Sequence, residues 1–256
     1  MKWPETVTLI RHDESVYNRM KKERQQDPLY LEFQKQFDRN PESVTTYGLA
    51  RQIWEKYSVQ TGDHDTPLAE NAGWQTQKMA AQLHTKIVIP DVIFVSPYLR
   101  AEMTLEHMKQ SWPELRDVQT IEEHRIREQD YGLVLLYNDW RVFCVFYPEQ
   151  RLLRQLQGSY WYRLPQGENV PDIRDRMHSW NGTLSRDWGK KNVLAISHHL
   201  AILSYRANQE RFGEEEFLRL DREEKPVNSG VTIYRGDPHL GKDGRLVLDV
   251  YNAKLY

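Results

Sequence analysis

Short apolar runs alternate along the chain with longer segments of helical periodicity. The apolar runs are rich in valine and isoleucine and predict six strands, at residues 6–11, 92–96, 118–122, 193–197, 230–235 and 245–251. The helical patterns cover residues 73–85, 98–111, 172–188 and 199–208. This alternation predicts a three-layer α/β fold in which helices flank a mainly parallel sheet.

Two stretches do not follow the alternation, and we interpret both as helical insertions into one domain that spans residues 1–256. The first, about residues 20–64, is polar, with large apolar residues at roughly helical spacing. The second, about residues 133–165, is dense in aromatic residues. Packing of these residues onto the main body explains both patterns, and a lid or wall over a functional site is compatible with it.

Composition narrows the class of protein. The chain has 256 residues, of which 39% are hydrophobic and 28% are charged, and its mean hydropathy of −0.77 argues against a membrane protein. Because 35 basic residues nearly balance 37 acidic ones, we expect no nucleic-acid partner. The single cysteine, Cys144, cannot form an internal disulfide, and the first strand leaves no room for a signal peptide. We therefore expect a cytoplasmic location without membrane attachment.

Two histidines stand directly after predicted strands. His12 follows the strand at residues 6–11, and His198 follows the strand at residues 193–197. Ligand sites in open α/β sheets lie beyond the carboxyl ends of the strands, so we expect the two imidazoles to meet. Arg11, beside His12, indicates that they meet over an anion. The pattern favours an enzyme of phosphoryl transfer.

Six segments resemble, in order, the motifs of the histidine phosphatase superfamily, which includes the phosphoglycerate mutases. They are LIRHDESVYN (9–18), PLAENAGWQ (67–75), SPYLRAEMT (96–104), REQDYG (127–132), PQGEN (165–169) and ISH (196–198). One such motif alone is a weak signal, whereas six in order are a strong one. The resemblance implies a phosphoglycerate mutase-like fold and catalysis through a phosphohistidine.

The resemblance also implies how a phosphoryl group would be held and attacked. His12 would attack phosphorus as a neutral imidazole. Arg11 and Arg100 would bind the phosphoryl oxygens with their planar, charged forks. Asn18 would add a neutral donor, and His198 a further donor or a positive charge. These side chains supply the charge themselves, so we expect no metal and no cofactor.

The departing alkoxide needs a proton, for which the resemblance implies Glu128. Asp130 is the alternative acid, because in an extended segment it faces the same way as Glu128. Glu168 is interpreted as a structural residue that braces the start of the next helix. The acidic and histidine cluster at residues 63–65 is interpreted as a solvated loop rather than a metal site.

Two residues depart from the family motifs. Asp13 and His199 stand where the family has glycine, which suggests positive φ or a close approach of the backbone to phosphate. An ionised Asp13 facing the pocket would repel phosphate. We therefore expect the Asp13 carboxylate to point away and to orient a neighbouring group.

The sequence thus predicts a metal-independent phosphomonoesterase that acts on a small phosphorylated substrate. Two alternatives stay open. A mutase would use the same phosphohistidine but return the phosphoryl group to a second hydroxyl. A catalytically weak module that binds phosphorylated ligands is suggested by the replacement of both glycines.

Overall fold

The chain forms two compact units in a computed structural model that describes residues 2–256. The first unit contains the residues up to Ser15, His64–Glu128 and Asp172–Tyr256. The second contains Val16–Asp63 and Gln129–Pro171, and so includes nearly all of both predicted insertions. The interpretation of the whole chain as one domain stays a prediction.

The first unit is built on a six-stranded sheet. Its strands are β1 (Thr6–Arg11), β2 (Val92–Val95), β3 (Thr120–Glu122), β4 (Asn192–Ser197), β5 (Val231–Asp237) and β6 (Arg245–Ala253). The order is β3-β2-β4-β1-β5-β6, with parallel pairing from β3 to β1 and antiparallel pairing of β5 with β1 and β6. The predicted α/β fold with a mainly parallel sheet is confirmed, and each predicted strand lies within two residues of its observed bounds.

Ten α-helices occur in the described chain. They are α1 (Val16–Gln26), α2 (Pro28–Arg39), α3 (Val44–Tyr57), α4 (Trp74–His84), α5 (Leu99–Ser111), α6 (Trp140–Phe146), α7 (Pro148–Trp161), α8 (Val170–Asp187), α9 (His199–Glu210) and α10 (Glu214–Glu223). The four predicted helices correspond to α4, α5, α8 and α9, whereas α10 falls outside every predicted element. None of the helices within residues 2–256 combines the length and apolar character needed to cross a bilayer.

Successive side chains along each strand point to opposite faces of the sheet, and helices pack on both faces. On one face, Ile93 and Val95 of β2 join a core cluster with Met79 of α4 and Leu105 of α5. On the other, the ring of Phe94 lies edge-on to Trp180 of α8, with 5.6 Å between ring centroids. Burial on both faces matches the continuous apolar runs of the parallel strands, and it leaves the carboxyl ends of β1, β2 and β4 together at one edge.

The second unit is helical and has a core of its own. Phe33 of α2, Ile53 of α3 and Phe143 of α6 are among the buried residues of one apolar cluster. An ion pair lies within this unit, with Arg24 Nη2 3.2 Å from Asp139 Oδ2 and both side chains about 95% buried. Because a buried charge is costly without a partner, the pair fixes the geometry between α1 and the start of α6.

Candidate active site

The register between β1 and β4 brings the two histidines together. Arg11 pairs with Ser197, the last residues of two parallel strands. The backbone N–H of His12 then donates to the carbonyl of Ser197 at 3.0 Å. The centroids of the His12 and His198 rings are 5.0 Å apart, and both side chains are buried.

Hydrogen bonds define the tautomer of His12. Its Nδ1 lies 2.6 Å from the carbonyl oxygen of Asp13, which only accepts, so Nδ1 carries the proton. Nε2 keeps its lone pair and accepts from Arg100 Nε at 3.3 Å. Burial, followed by the charges of Arg100 and Arg11, holds the pKa of His12 well below its usual value. His12 is therefore neutral, and the lone pair of its Nε2 is directed at an arginine.

His198 is neutral for the same reasons. Burial, and then the charge of Arg100, lowers its pKa well below the usual value. Its Nε2 lies 2.7 Å from Ser96 Oγ at the end of β2. Its Nδ1 is buried and has no hydrogen-bond partner among the described residues. A neutral imidazole has one N–H donor and no positive charge, which favours the role of donor over that of a positive charge.

Two guanidinium groups accompany these imidazoles. Arg100, in the first turn of α5, is 4% exposed, and its Cζ lies 4.7 Å from the ring centroid of Tyr98. Arg11 is half-buried, and its Nη1 donates to the carbonyl of Pro226 at 2.7 Å. Permanent positive charges beside neutral imidazoles in a buried cluster fit an anionic ligand.

The side chain of Glu128 is held by the start of α9, at a backbone N–H two residues after His198. Its Oε1 accepts from the backbone N–H of Leu200 at 3.2 Å, and its side chain is buried. The backbone carbonyl of Glu128 accepts from Arg176 Nη2 at 3.0 Å. The first turn of the helix thus holds a carboxyl group in the same unit as His12 and His198.

Asp130, the alternative acid, belongs to the second unit and has a structural task there. It is exposed, and its Oδ1 accepts from the N–H of Gly132 at 2.8 Å. Its own N–H donates to Glu168 Oε2 at 3.0 Å, so Glu168 braces this turn. Asn18 lies in α1, also in the second unit, and its part in ligand binding stays a prediction.

The Asp13 carboxylate caps the helix α4. Oδ2 accepts from the N–H groups of Gly73 at 2.9 Å and Thr76 at 3.4 Å, and from Thr76 Oγ1 at 2.9 Å. Oδ1 accepts from the N–H of Glu14 at 2.7 Å. A carboxylate at these positions satisfies the open donors of a helix start and complements its dipole. The carboxylate thus serves a neighbouring helix, which explains how a charge is tolerated beside His12.

Neither replacement of glycine requires a strained backbone. Asp13 and His199 are absent from the residues with positive φ in the described chain. The suggestion of positive φ at these positions is therefore wrong for this protein. The His199 side chain is directed to α10, with Nε2 2.8 Å from Asp221 Oδ1.

The cluster includes residues that the sequence analysis did not single out. Asn228 Nδ2, just before β5, donates to the carbonyl of His12 at 2.9 Å and thereby holds the backbone at His12. Ser96 and Tyr98 lie inside the SPYLRAEMT segment, which was the available signal for both. For Arg176 and Asn228 the sequence carries no comparable signal. Among residues 2–256, no group of three or more histidine, cysteine or carboxylate side chains is placed to hold a metal ion.

The fold and this cluster place the chain in a known class. A profile of the histidine phosphatase superfamily (branch 1) matches residues 50–240, and the chain belongs to this superfamily. Arg100, Glu128 and His198 lie within the matched range, whereas Arg11 and His12 precede it.

Individual relatives agree with this membership. The chain is 28% identical over 211 residues to the phosphoglycerate mutase-like protein AT74 of Arabidopsis thaliana, an alignment that covers 76% of this chain and 62% of that protein. The alignment with a second Arabidopsis thaliana relative, AT74H, also spans 62% of that protein's length.

Solved structures share the fold at low sequence identity. A mycobacterial glucosyl-3-phosphoglycerate phosphatase in complex with inorganic phosphate superposes with a TM-score of 0.63 at 17% identity, covering 98% of both chains. A structure described as mycobacterial hydrolase 1 gives a TM-score of 0.66 at 19% identity, covering 98% of this chain and 99% of the other.

The cap formed by Asp13 predicts a measurable loss of stability. Asp13→Ala leaves the start of α4 without its acceptor and should lower the free energy of unfolding by about 1–3 kcal/mol. Urea denaturation followed by circular dichroism measures this change, with the exposed Asp65→Ala as the control. A loss below about 0.5 kcal/mol in Asp13→Ala, the range of ordinary surface substitutions, would contradict the assignment.

Proposed function

We propose that the protein is a phosphomonoesterase that acts through a phosphohistidine on His12, with Glu128 as proton donor and with charge supplied by arginine side chains instead of a metal. The observation that carries the proposal is the neutral His12, whose Nε2 lone pair faces Arg100 at 3.3 Å. A neutral imidazole beside fixed cations is what attack on an anionic phosphoryl group needs.

The proposed reaction has two steps. His12 Nε2 forms a bond to phosphorus as the bond from phosphorus to the ester oxygen breaks, and Glu128 gives that oxygen its proton. Arg11, Arg100 and the Nδ1–H of His198 bind the phosphoryl oxygens and stabilise the charge that they carry in the transition state. Water then attacks phosphorus and gives a proton to Glu128. The bond between phosphorus and His12 Nε2 breaks, which releases phosphate and restores the free imidazole.

Release of phosphate fits this chain better than its return to a second hydroxyl. A mutase needs a closed, basic pocket for both ends of its substrate, and the segment at residues 133–165 does contain four arginines. Three of them have neighbours within the second unit. Arg141 and Arg154 lie over the ring of Trp140, and Arg151 pairs with Glu42. The solved relative named above as a phosphatase supports the same choice.

The alternative of a catalytically weak binding module rested on Asp13 and His199. Each of these side chains has a partner in the first unit, on α4 and α10 respectively. The replacements are therefore compatible with an intact nucleophile and weaken that alternative.

Removal of the nucleophile tests the mechanism directly. His12→Ala should lower turnover of p-nitrophenyl phosphate by roughly 10³-fold or more, because no other group can form the covalent intermediate. Rapid alkaline quenching of the wild type, followed by peptide mass spectrometry, should find the phosphoryl group on His12. The exposed His124→Ala serves as control and should retain its rate. Turnover that survives in a folded His12→Ala protein would exclude the mechanism.

The proton donor is tested by the leaving group. Glu128→Gln should slow hydrolysis of an alkyl phosphate by about 10²–10⁴-fold but that of an aryl phosphate much less, since a phenolate leaves with little help. Steady-state rates on both esters are compared with those of Asp130→Asn, which should show no selective loss. Equal losses in Glu128→Gln, or the selective pattern in Asp130→Asn, would reject Glu128 as the acid.

Phosphatase and mutase activities are separated by their products. We expect net phosphate release from monoesters, without stimulation by 2,3-bisphosphoglycerate. Phosphate is measured colorimetrically while ³¹P NMR follows 2- and 3-phosphoglycerate in the same sample. Interconversion of the two phosphoglycerates well above the rate of phosphate release would establish the mutase instead.

A further inference from the structure

The second unit contains a cavity of about 380 Å³ that the proposed reaction does not use. One wall is apolar and is formed by Phe37, Pro41 and Trp140; Arg151 and Arg154 of α7 line it as well. Every lining residue belongs to the second unit, whereas the residues proposed for catalysis belong to the first. The volume is in the range of small-molecule sites.

Arg154 is a largely buried cation without an anionic partner. Within residues 2–256, no side chain or backbone group gives its guanidinium a hydrogen bond or an ion pair. Its neighbours are two ring faces, with Cζ 4.9 Å from the centroid of Trp140 and 5.8 Å from that of Tyr162. Burial lowers the pKa of Arg154, which reflects the cost of the unpaired charge. Cation–π contacts offset part of that cost, and an anion in the cavity would offset more.

Arg151, one turn earlier on α7, has one edge of its guanidinium in use. Its Nη2 lies 2.7 Å from Glu42 Oε1, while its Nε is buried and has no partner among the described residues. Residues three apart on a helix are neighbours on its surface, so Arg151 and Arg154 can serve one ligand. The cavity thus has two donors that the protein itself does not satisfy.

The local charges indicate how much negative charge a ligand should carry. Three guanidinium groups meet here, because Arg141 also lies over Trp140, with its Cζ 4.8 Å from the ring centroid. Two carboxylates oppose them, Glu42 on Arg151 and the exposed Asp38 on the cavity lining. With carboxylates already on Arg151 and on the lining, a ligand that brings one negative charge meets less repulsion than one that brings two.

The apolar wall indicates the rest of the ligand. Phe37 and Trp140 meet edge to face, with ring centroids 5.8 Å apart and an interplanar angle of 87°. Aromatic side chains favour edge-to-face and offset-stacked contacts with a further flat ring, so this wall suits an aromatic group. We propose that this cavity is a binding site for a small aromatic carboxylate, with the carboxylate on Arg154 and Arg151 and the ring against Phe37 and Trp140.

Binding of 4-fluorobenzoate to the full chain, followed by ¹⁹F NMR titration, tests the site. Arg154→Gln should weaken binding by about tenfold or more, because it removes a charge-assisted pair of hydrogen bonds. Arg51→Gln, an exposed arginine of the same unit that pairs with Glu55, is the matched control and should bind as the wild type does. 4-Fluorobenzyl alcohol, which lacks the charge, should bind much more weakly to the wild type.

Two further measurements keep the result interpretable. Arg154→Lys preserves the positive charge but not the planar pair of donors, so it should weaken binding less than Arg154→Gln. It takes the place of the glutamine variant if that variant does not fold. Arg100→Gln, in the first unit, should leave binding of the probe unchanged. Loss of binding in Arg100→Gln but not in Arg154→Gln would assign the probe to the catalytic cluster and overturn the proposal. Absence of binding to the wild type, or equal binding to wild type and Arg154→Gln, would overturn it too.

Discussion

The parallel pairing of β1 with β4 is the constraint on which the site depends. With Arg11 opposite Ser197, the residues that follow each strand emerge side by side, and the backbone N–H of His12 bonds to the carbonyl of Ser197. A shift of one residue in this register would turn every side chain of a strand to the other face. The side chains on the two faces are packed against different helices, so such a shift would disrupt the packing on both faces. The packed core thus holds the register, and the register places the imidazoles.

Burial and the neighbouring charges set the protonation state of the two histidines that the register brings together. Burial and neighbouring arginines hold the pKa of both histidines low, so both imidazoles are neutral. The same arginines are fixed cations in a cluster with an unsatisfied Nδ1 on His198. A neutral imidazole beside fixed cations is the arrangement on which the proposed reaction rests.

The sequence predicted what depends on local patterns and failed where distant contacts decide. Apolar runs rich in valine and isoleucine located all six strands, most clearly β1, β2 and β4, whose residues are almost all buried. The same runs carry no direction, so the antiparallel pairing of β5 was not foreseen. Motifs located the residues of the cluster, but not Asn228, which reaches His12 from far along the chain. The division into two compact units likewise depends on contacts between distant segments.

Asp13 shows how a departure from a motif can be read physically. A glycine beside His12 is required only where φ is positive or a side chain would clash, and the backbone here has ordinary φ. The carboxylate instead joins the loop after β1 to the first turn of α4, and His199, at the start of α9, lies with Nε2 2.8 Å from Asp221 of α10. Both loops thereby gain an anchor that glycine cannot provide. Since the Asp13 carbonyl also fixes the tautomer of His12, anchoring this loop also stabilises the orientation of the imidazole that we propose as nucleophile. The two replacements are therefore compatible with the proposed chemistry.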